Sequence, residues 1–473
     1  MDRMLEEVEV VELRGDPSDT EISSIEFDSR QVGPGALFCC LPGRIGDGHD
    51  YAPEAVARGA AALLVERPLP LDVPQVVVTP GTARASMARI AGAMFGHPAR
   101  ALTTVGVTGT NGKTTVTHLL ASVLEAAGRP TTVIGTLDGA RTTPESAVLQ
   151  RILAEARAQG RRAVAMEVSS HALTQARVDG IRFDAAVFTN LSHDHLDYHG
   201  DMESYFAAKA SLFEPARAAV GIVNGDDPWG RRLLAGAGVP RVAYTTADAS
   251  DVEVRPGSTF FTWRGRRVEL ALTGSFQVAN ALAAATTAEV LEIDVDAIVA
   301  GLAAVAAVPG RFEVVAAAGP ATVVVDYAHS PDALRAVLRS ARELAVGRRV
   351  VCVFGCGGDR DRAKRPLMGA VAAEEADVVV VTSDNPRGED PRAIVEEILA
   401  GMADRSSVLV EPDRAAAIAL ALGGADAGDV VVVAGKGHEQ EIEVGGRRIP
   451  FDDRLVAVQV ASEVAANRGR HRP

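Results

Sequence analysis

The most regular feature of the chain is an apolar run that passes through a glycine-rich turn into a segment of helical periodicity. Residues 103–108 read TTVGVT and predict a buried strand. After the turn, apolar residues recur at intervals of three and four, which predicts an amphipathic helix that ends at Gly128 and Pro130. Its apolar stripe comprises Val116, Leu119, Leu120, Val123, Leu124 and Ala127. The pattern therefore predicts a strand–turn–helix unit.

Apolar runs also alternate with helical stretches on both sides of this unit. Strand-like runs lie at 61–65 and 76–78, and a break at 308–311 precedes four more. These four are Thr322 to Val325, Val350 to Phe354, Val378 to Val381 and Val430 to Val433. Strands that alternate with helices are typical of a mainly parallel sheet. We therefore predict an α/β protein with three domains, at residues 1–100, 101–308 and 309–473.

Composition narrows the class of protein. The length of 473 residues is enough for about three domains. Asp and Glu number 62 against 48 Lys and Arg, and this charge of −14 argues against general binding to nucleic acid. The four cysteines lack zinc or redox spacing and are interpreted as buried thiols. Without a signal-peptide pattern or an uncharged apolar run of ~18 residues, we expect a cytoplasmic protein that inserts in no membrane.

The turn after the first strand has the composition of a phosphate-binding loop. Residues 108–115 read TGTNGKTT and lie where backbone N–H groups and the helix dipole favour phosphate. Lys113 can reach the β- and γ-phosphates of a nucleotide, and Thr114 can hold Mg²⁺. The strict Walker pattern requires glycine where this chain has Val107. The placement of the loop between strand and helix still predicts ATP binding.

Lys209 occupies an unusual position in the helical segment 202–213. Apolar residues lie three and four positions before and after it, so it falls within the apolar stripe. Burial lowers the pKa of a lysine and leaves a neutral amine that can capture CO₂ as a carbamate, which is an acidic ligand. The alternative is a lysine whose stem packs while its head group stays in water. Helix geometry alone does not decide between them.

Two nearby segments supply further candidate metal ligands. Glu167 follows a buried apolar run, and a carboxylate at a strand tip can bind a metal that bridges nucleotide and substrate. His193, His195 and His199 lie close together in a predicted loop. Three histidines can bind zinc, but no cysteine accompanies them and their spacing is unusual. We favour His195 as a single ligand of Mg²⁺.

These motifs resemble those of the Mur ligase family of peptidoglycan synthesis. The family signature stands here as GTNGKTT at 109–115, and the resemblance spans nearly the whole chain. It implies a UDP-binding N-terminal domain, a central P-loop ATPase-like domain with a mainly parallel sheet, and a C-terminal Rossmann-like domain. It also implies an Mg²⁺ site formed by Thr114, Glu167, His195 and a carbamylated Lys209 (N6-carboxylysine).

The resemblance also implies contacts to two nucleotide ligands. The ATP contacts would be Gly109, Thr110, Asn111, Gly112, Lys113, Thr114, Thr115, Asn280, Arg311, Asp326 and His329. The contacts to a UDP-N-acetylmuramoyl peptide would be Ser29, Arg30, Thr142, Thr143, Ser169, Gln175 and Arg177. The catalytic residues would be Lys113, Glu167, His195 and Lys209.

In its C-terminal third the chain resembles family members that add diaminopimelate. The implied pocket comprises Arg360, Asp384, Asn385, Pro386, Arg387, Gly435 and Glu439. The far end of meso-diaminopimelate carries a carboxylate and an ammonium, so Arg387 and Glu439 can pair with both. Lysine lacks that carboxylate and would leave a buried arginine unpaired. A ligase for L-lysine or another diamino acid stays open as an alternative.

The implied function is ATP-dependent amide ligation. It would add meso-diaminopimelate to UDP-N-acetylmuramoyl-L-alanyl-D-glutamate through an acyl phosphate. We expect a monomer whose C-terminal domain rotates about a hinge near 308–311. The alternative from a different class is a non-catalytic protein that binds UDP-muramoyl peptides. A folylpolyglutamate-type ligase would share the ATPase core but lack the N-terminal motif at 28–38.

Three departures from the family pattern affect the substrate face. Only five residues separate Thr136 from Thr142, where the family usually has a longer hairpin. Arg141 replaces a common asparagine, and His193 replaces a usual arginine. None of these changes removes an implied metal ligand, so they concern sugar and peptide binding only.

Overall fold

The computed structural model describes residues 1–16, 20–43, 46–137, 139, 141–316 and 321–470. Within these ranges three α/β layers follow one another along the chain, each built on one sheet, and two small antiparallel units are added. All four cysteines are free and buried, as expected for structural thiols. Among the described helices, none has the length and apolar character needed to cross a bilayer.

A five-stranded sheet forms the N-terminal layer. Its strands are β1 (Val10–Arg14), β2 (Ser24–Glu26), β3 (Ala36–Cys39), β4 (Ala60–Val65) and β5 (Gln75–Val78), and its α-helices are α1 (Asp2–Leu5), α2 (Ala52–Ala57) and α3 (Ala83–Met94). Short 3₁₀ helices lie at Ser29–Gln31, Gly48–Tyr51 and Pro98–Ala101. The spatial order is β1-β5-β4-β3-β2, with only β1 antiparallel to its neighbour. The runs predicted at 61–65 and 76–78 are β4 and β5.

The central layer is a six-stranded, fully parallel sheet in the order β11-β10-β9-β6-β8-β7. Its strands are β6 (Thr103–Thr108), β7 (Thr131–Ile134), β8 (Ala163–Glu167), β9 (Phe183–Phe188), β10 (Ala218–Asn224) and β11 (Arg241–Tyr244). The helices between them are α4 (Lys113–Ala126), α5 (Ser146–Ala158), α6 (Ser170–Thr174), α7 (Leu196–His199), α8 (Met202–Ala210) and α9 (Pro228–Ala235), with a 3₁₀ turn at Ser211–Phe213. Because the strands are parallel, all their carboxyl ends lie at one edge.

The helix α4 confirms the predicted strand–turn–helix unit. Strand β6 has the predicted bounds, and Val116, Leu119, Leu120, Val123 and Leu124 of the stripe are fully buried. The opposite side of α4 is covered by α10 (Phe276–Val290) and α11 (Val295–Ala303). Between β11 and α10 the chain forms a 3₁₀ turn at Thr246–Asp248 and an antiparallel sheet of β12 (Ser250–Arg255), β13 (Ser258–Trp263) and β14 (Arg266–Leu270). The phosphate-loop helix is therefore held between a sheet and two helices.

The C-terminal layer is a second six-stranded sheet, in the order β15-β16-β20-β17-β18-β19. Its strands are β15 (Glu313–Ala316), β16 (Thr322–Asp326), β17 (Val350–Phe354), β18 (Val378–Val381), β19 (Val408–Val410) and β20 (Val430–Ala434), and only β15 is antiparallel. The helices are α12 (Pro331–Ala345), α13 (Lys364–Glu375), α14 (Pro391–Leu399), α15 (Arg414–Gly424) and α16 (Asp453–Arg470), and β21 (Glu441–Val444) and β22 (Arg447–Pro450) form a hairpin. The four apolar runs predicted here are β16, β17, β18 and β20.

Two predicted elements end earlier than the sequence pattern indicates. The helical segment 202–213 is α-helical only to Ala210 and continues as a 3₁₀ turn at Ser211–Phe213, a common ending for an α-helix. The apolar run 163–168 leaves the sheet at Glu167, whose side chain faces the loop after β7. The boundaries at residues 100 and 308 stay predictions.

Candidate active site

A cavity of about 460 Å³ lies where the carboxyl ends of the central and C-terminal strands face each other. The central sheet contributes the loop after β6, Glu167 after β8 and the segment after β9; the C-terminal layer contributes Arg311, the end of β16 and the start of α12. The implied residues that line it are Thr110, Asn111, Gly112, Lys113, Thr114, Thr115, Thr142, Glu167, His195, Asn280, Arg311, Asp326 and His329. The cavity thus brings together most of the residues expected to bind ATP.

The loop after β6 has the geometry expected of a phosphate cradle. Helix α4 begins at Lys113, so its free N–H groups and positive dipole end face the cavity. Gly112 has φ +85°, and a Cβ there would lie 2.6 Å from Asn280 Oδ1, so this position requires glycine. Lys113 Nζ donates to the carbonyls of Gly109 (2.9 Å) and Thr110 (2.8 Å). These contacts form although position 107 is valine rather than the glycine of the strict Walker pattern.

Glu167 presents a fixed carboxylate beside this loop. Its side chain is buried, and Oε1 accepts from the backbone N–H of Thr136 (2.8 Å) while Oε2 accepts from Thr136 Oγ1 (3.2 Å). Two donors from the loop after β7 thus orient it toward the cavity.

Lys209 is buried at its head group, so the alternative of a lysine with a hydrated head does not describe it. Only 1% of the residue is exposed, and Nζ donates to the Gly109 carbonyl (2.7 Å) and lies 4.6 Å from the ring centroid of Tyr205. Burial lowers the pKa of Lys209 well below its usual value, and the charge of Lys113 acts in the same direction. Lys209 and Lys113 therefore share one carbonyl oxygen of the phosphate loop.

His195 adopts a left-handed backbone conformation (φ +55°) at the start of α7. Burial lowers the pKa of its imidazole to about 4, so the ring is neutral at pH 7 and has a lone pair for a metal. His199 points elsewhere, since its Nε2 is 2.9 Å from Ser170 Oγ. Among the described residues no group of three or more His, Cys, Asp or Glu side chains is arranged to hold a metal ion.

The donors around the phosphate loop suit Mg²⁺ held jointly with a nucleotide. Thr114 Oγ1 and the Glu167 carboxylate line the same cavity as Lys113. Mg²⁺ prefers oxygen ligands and is usually bound by one or two protein groups together with substrate phosphates and water.

The C-terminal wall of the cavity combines a cation with a buried carboxyl group. Arg311 Nη2 donates to Thr114 Oγ1 (3.0 Å) across the two layers, and its guanidinium lies 4.6 Å from the ring centroid of Tyr327. Asp326 accepts from the N–H groups of Phe312 and Ala328 (2.6 Å each). Burial raises the pKa of Asp326 to about 6, although Arg311 opposes the shift.

The residues expected to bind the UDP-muramoyl peptide fall into two separate groups. Five lie together beside Glu167: Thr142, Thr143, Ser169, Gln175 and Arg177. Arg177 donates to Thr143 O (2.9 Å) and to Gln175 Oε1 (2.7 Å), and Thr143 Oγ1 is 3.3 Å from Ser169 Oγ.

The other two lie in the N-terminal layer and line neither described cavity. There Ser29 Oγ donates to Glu54 (2.9 Å), and Arg30 pairs with Asp28. In the shortened segment, Asp138 and Ala140 lie outside the described residues.

A second cavity, of about 620 Å³, adjoins the first at Thr136. Of the implied diaminopimelate residues, Asn385 and Glu439 line it, while Asp384, Pro386, Arg387 and Gly435 belong to the same two loops but are not part of its lining. Arg387 Nη1 donates to Gly358 O (2.7 Å), and Nε lies 3.3 Å from Glu443 Oε2. Arg360 is exposed on the loop after β17.

The sequence patterns did not identify two polar residues, Asn190, which lines the first cavity, and Lys436, which lies beside the second. Lys436 Nζ lies 2.9 Å from Glu439 Oε2 and 3.2 Å from Asn385 Oδ1. Asn190 Oδ1 accepts from the N–H of Asn111 (2.9 Å) in the phosphate loop. Asn190 is the second residue after the buried strand β9, and a polar residue just beyond a buried parallel strand is a signal that could have identified it. Lys436 lies three residues before Glu439, but its contact with Asn385, 51 residues away, has no local sequence signal.

Residues 21–103 of the chain match the family described as Mur ligase family, catalytic domain; residues 107–288 match Mur ligase middle domain; and residues 310–437 match Mur ligase, glutamate ligase domain. Proteins named UDP-N-acetylmuramoyl-L-alanyl-D-glutamate--2,6-diaminopimelate ligase from Gloeobacter violaceus and Geobacillus kaustophilus are 47% and 46% identical to it. In each case 94% of this chain and 95% of the relative are covered.

Solved structures give the same pattern. A structure of UDP-N-acetylmuramoyl-L-alanyl-D-glutamate--2,6-diaminopimelate ligase is 33% identical, with a TM-score of 0.64 over 95% of this chain and 96% of that one. The MurF ligase from Thermotoga maritima in complex with ADP is 21% identical with a TM-score of 0.67, covering 95% of this chain and 99% of that chain. The second likeness concerns the fold alone.

Proposed function

The chain belongs to the Mur ligase family, and from this premise we propose that it joins meso-diaminopimelate to UDP-N-acetylmuramoyl-L-alanyl-D-glutamate with hydrolysis of ATP to ADP and phosphate. The observation that carries the proposal is the pair of adjoining cavities. One is lined by the phosphate loop and Arg311, and the other by Asn385 and Glu439, with Thr136 in the wall of both. Phosphoryl transfer and amide formation need such neighbouring sites for a nucleotide and an amine.

In the first step a γ-carboxylate oxygen of the D-glutamyl residue attacks the γ-phosphorus of ATP and ADP leaves. In the second step the free amine of diaminopimelate attacks the acyl phosphate, and phosphate departs with the former carboxylate oxygen. Lys113 and the α4 N-terminus stabilise the negative charge of the phosphates, and Arg311 approaches from the opposite wall. Most of the catalysis is therefore positioning and electrostatic stabilisation.

Thr114 and Glu167, together with His195 and a carbamate on Lys209, would hold Mg²⁺, which supplies charge neutralisation for the transferred phosphoryl group. The proposal for Lys209 rests on its burial and its depressed pKa, since a neutral amine is the form that reacts with CO₂. The Lys209 carbamate would act as a ligand and positioner rather than as a nucleophile.

Selection of the amino acid is assigned to the second cavity. Arg387 would bind the distal carboxylate of diaminopimelate, with Glu439 near the distal ammonium and Arg360 and Asp384 completing the pocket. In the ligand-free arrangement Arg387 lies 3.3 Å from Glu443, and Glu439 is bound by Lys436. These intramolecular pairs compensate the charges of Arg387 and Glu439 before the substrate arrives. Binding would exchange them for pairs with the carboxylate and ammonium of diaminopimelate.

Further features of the proposal concern the whole protein. The three layers would act as domains with boundaries near residues 100 and 308. Ser29 and Arg30 would hold the UDP moiety, and the Thr143 cluster (Thr142, Thr143, Ser169, Gln175 and Arg177) would contact the rest of the substrate. The protein would work as a monomer in the cytoplasm and bind no nucleic acid.

The decisive experiment measures phosphate release from ATP and Mg²⁺ with the UDP-muramoyl dipeptide and either meso-diaminopimelate, L-lysine or no amine. Release that depends on diaminopimelate, and that Lys113→Ala abolishes, is the expected result. Equal rates with lysine would replace the proposed substrate, and no release with either amine would favour a non-catalytic binding protein. An ¹⁸O-labelled γ-carboxylate should transfer one label to phosphate, as the acyl phosphate requires.

A further inference from the structure

A buried guanidinium lies behind the wall of the second cavity. Arg414, the first residue of α15, is 2% exposed, and its partner Asp453, the first residue of α16, is completely buried. Nε and Nη2 of Arg414 each donate to the Asp453 carboxylate at 2.7 Å. A buried ion pair of this kind is tolerated only when its remaining hydrogen-bonding groups are satisfied.

The remaining N–H groups of Arg414 reach two strand ends. Nη1 donates to the carbonyl of Ser383 (3.0 Å), and Nη2 donates to the carbonyl of Ala434 (2.9 Å). Ser383 follows β18 by two residues and Ala434 ends β20. These strands are not neighbours, since β17 lies between them. One side chain therefore spans the carboxyl end of β17 and ties its two flanking strands together.

The two carbonyls stand at the entrances of the two loops that line the second cavity. Ser383 directly precedes residues 384–387, and Ala434 directly precedes residues 435–439. The loops meet over Arg414, where the Asn385 amide donates to Glu439 Oε2 (2.8 Å). Burial raises the pKa of Asp384, and the positive charges of Arg414 and Lys436 act against that shift. Arg414 thus fixes both the spacing and part of the electrostatics of the loops.

A lysine could not perform this role. The planar guanidinium offers five N–H donors in a rigid fork, whereas an ammonium group is a single point with three donors. Only the fork can bind one carboxylate with two parallel bonds and still reach two carbonyls on separate strands. The geometry therefore makes a specific demand for arginine.

We propose that Arg414, held by Asp453, is a positioning residue that sets the distance between the two loops receiving the incoming amino acid, and so determines the affinity for it. The inference rests on the proposed function, because it takes the second cavity as the amino-acid site. Arg414 does not line that cavity, and it acts through the loops.

The same sheet offers a matched control at its opposite end. Arg349 precedes β17 and Asp429 precedes β20, and Arg349 Nε and Nη2 bind the buried Asp429 carboxylate at 3.0 and 2.7 Å. This pair also ties two strands, but at their amino ends, away from both cavities. Arg349→Lys therefore weakens the sheet without disturbing the loops.

The experiment compares Arg414→Lys, Asp453→Asn and Arg349→Lys in the full chain with phosphate release. Because a lost hydrogen bond to a charged group changes an equilibrium roughly tenfold or more, we expect Arg414→Lys to raise KM for the amino acid by about that factor. KM for ATP should stay within about twofold. Asp453→Asn should act in the same direction, and Arg349→Lys should leave both KM values near those of the wild type.

Amide hydrogen exchange gives a second readout that does not depend on activity. The N–H of Arg387 donates to Glu443 O and that of Glu439 to Lys436 O, both at 2.9 Å. Both amides should exchange faster in Arg414→Lys and Asp453→Asn, but not in Arg349→Lys. Loop amides and amino-acid KM values like those of the control would overturn the positioning role, as would an equal rise of both KM values. A wild-type protein inactive with every diamino acid would overturn the proposed function instead, while exchange would still decide whether Arg414 positions the loops.

Discussion

Gly310 lies at the single crossing between the central and C-terminal layers, and replacing it with alanine should damage both stability and activity. Its φ is +64°, in the left-handed region, and Gly310 O accepts from the N–H of Tyr327 (2.9 Å). A Cβ added there would lie 2.2 Å from the backbone N of His438 and 2.3 Å from the carbonyl carbon of Gly437. These backbone atoms belong to the loop 435–439, and backbone atoms cannot move aside as the end of a flexible side chain can.

The cost of Gly310→Ala has two parts. The left-handed conformation costs alanine about 1 kcal/mol relative to glycine. Displacing packed backbone adds about 1–3 kcal/mol, as overpacking does elsewhere. We therefore expect a loss of about 2–4 kcal/mol from the unfolding free energy of the C-terminal layer. Gly347→Ala is the matched control, because Gly347 has φ +81° in the same layer and no atom within 4 Å of an added Cβ, so it should lose only about 1 kcal/mol.

Urea unfolding followed by circular dichroism measures the difference between the two variants. Phosphate release should also fall at least about tenfold in Gly310→Ala alone, because Arg311 is the next residue and its 3.0 Å bond to Thr114 depends on this backbone. Variants that agree in stability within about 0.5 kcal/mol would refute the argument from close approach. Unchanged activity would refute the link to Arg311.

Three further predictions concern single side chains. Lys209→Ala should lower activity about a hundredfold, with partial rescue by added formate or acetate; full activity without rescue would exclude the carbamate. Arg387→Lys should raise KM for diaminopimelate about tenfold or more while leaving turnover of L-lysine unchanged; equal effects on both amino acids in a substrate panel would show that Arg387 does not read the distal carboxylate. Hydrogen bonding from Arg365 lowers the pKa of Glu389 from 4.5 to about 2. Because the folded pKa lies below the unfolded one, this stabilisation is complete above pH 4.5 and is lost as the pH falls through 2. Glu389→Gln should therefore flatten the acid limb of a plot of melting temperature against pH, and a limb identical to that of the wild type would contradict the assignment.

The sequence predicted those parts of the fold and site that depend on local patterns. Strand β6 and its loop could be located because apolar runs, turn glycines and helical periodicity are all short-range signals. The apolar helix face singled out Lys209 but left a buried amine and a hydrated head group both open; its burial and its acceptor, Gly109 O, 100 residues away, came only from the structure.

The features missed are pairings between distant segments. Lys436 with Asn385 and Arg414 with Asp453 join parts of the chain that only the sheet order brings together. Ser29 and Arg30 lie apart from the other expected peptide contacts. The sequence could not show this separation, because no local pattern determines how the N-terminal layer docks. The resemblance to a family assigned these residues a ligand, but their distance from the Thr143 cluster could only come from the structure.

The crossing between layers has a kinetic consequence. Pro309 lines the second cavity and Arg311 lines the first, with Gly310 alone between them. Any rotation of this backbone moves one wall of each cavity at the same time, so the nucleotide cavity and the amino-acid cavity cannot open independently. If the C-terminal layer rotates about this crossing, as the sequence predicts, a single relaxation rate should govern the departure of ADP and of the product. The protein would thus release ADP and the ligated UDP-muramoyl peptide in one conformational step.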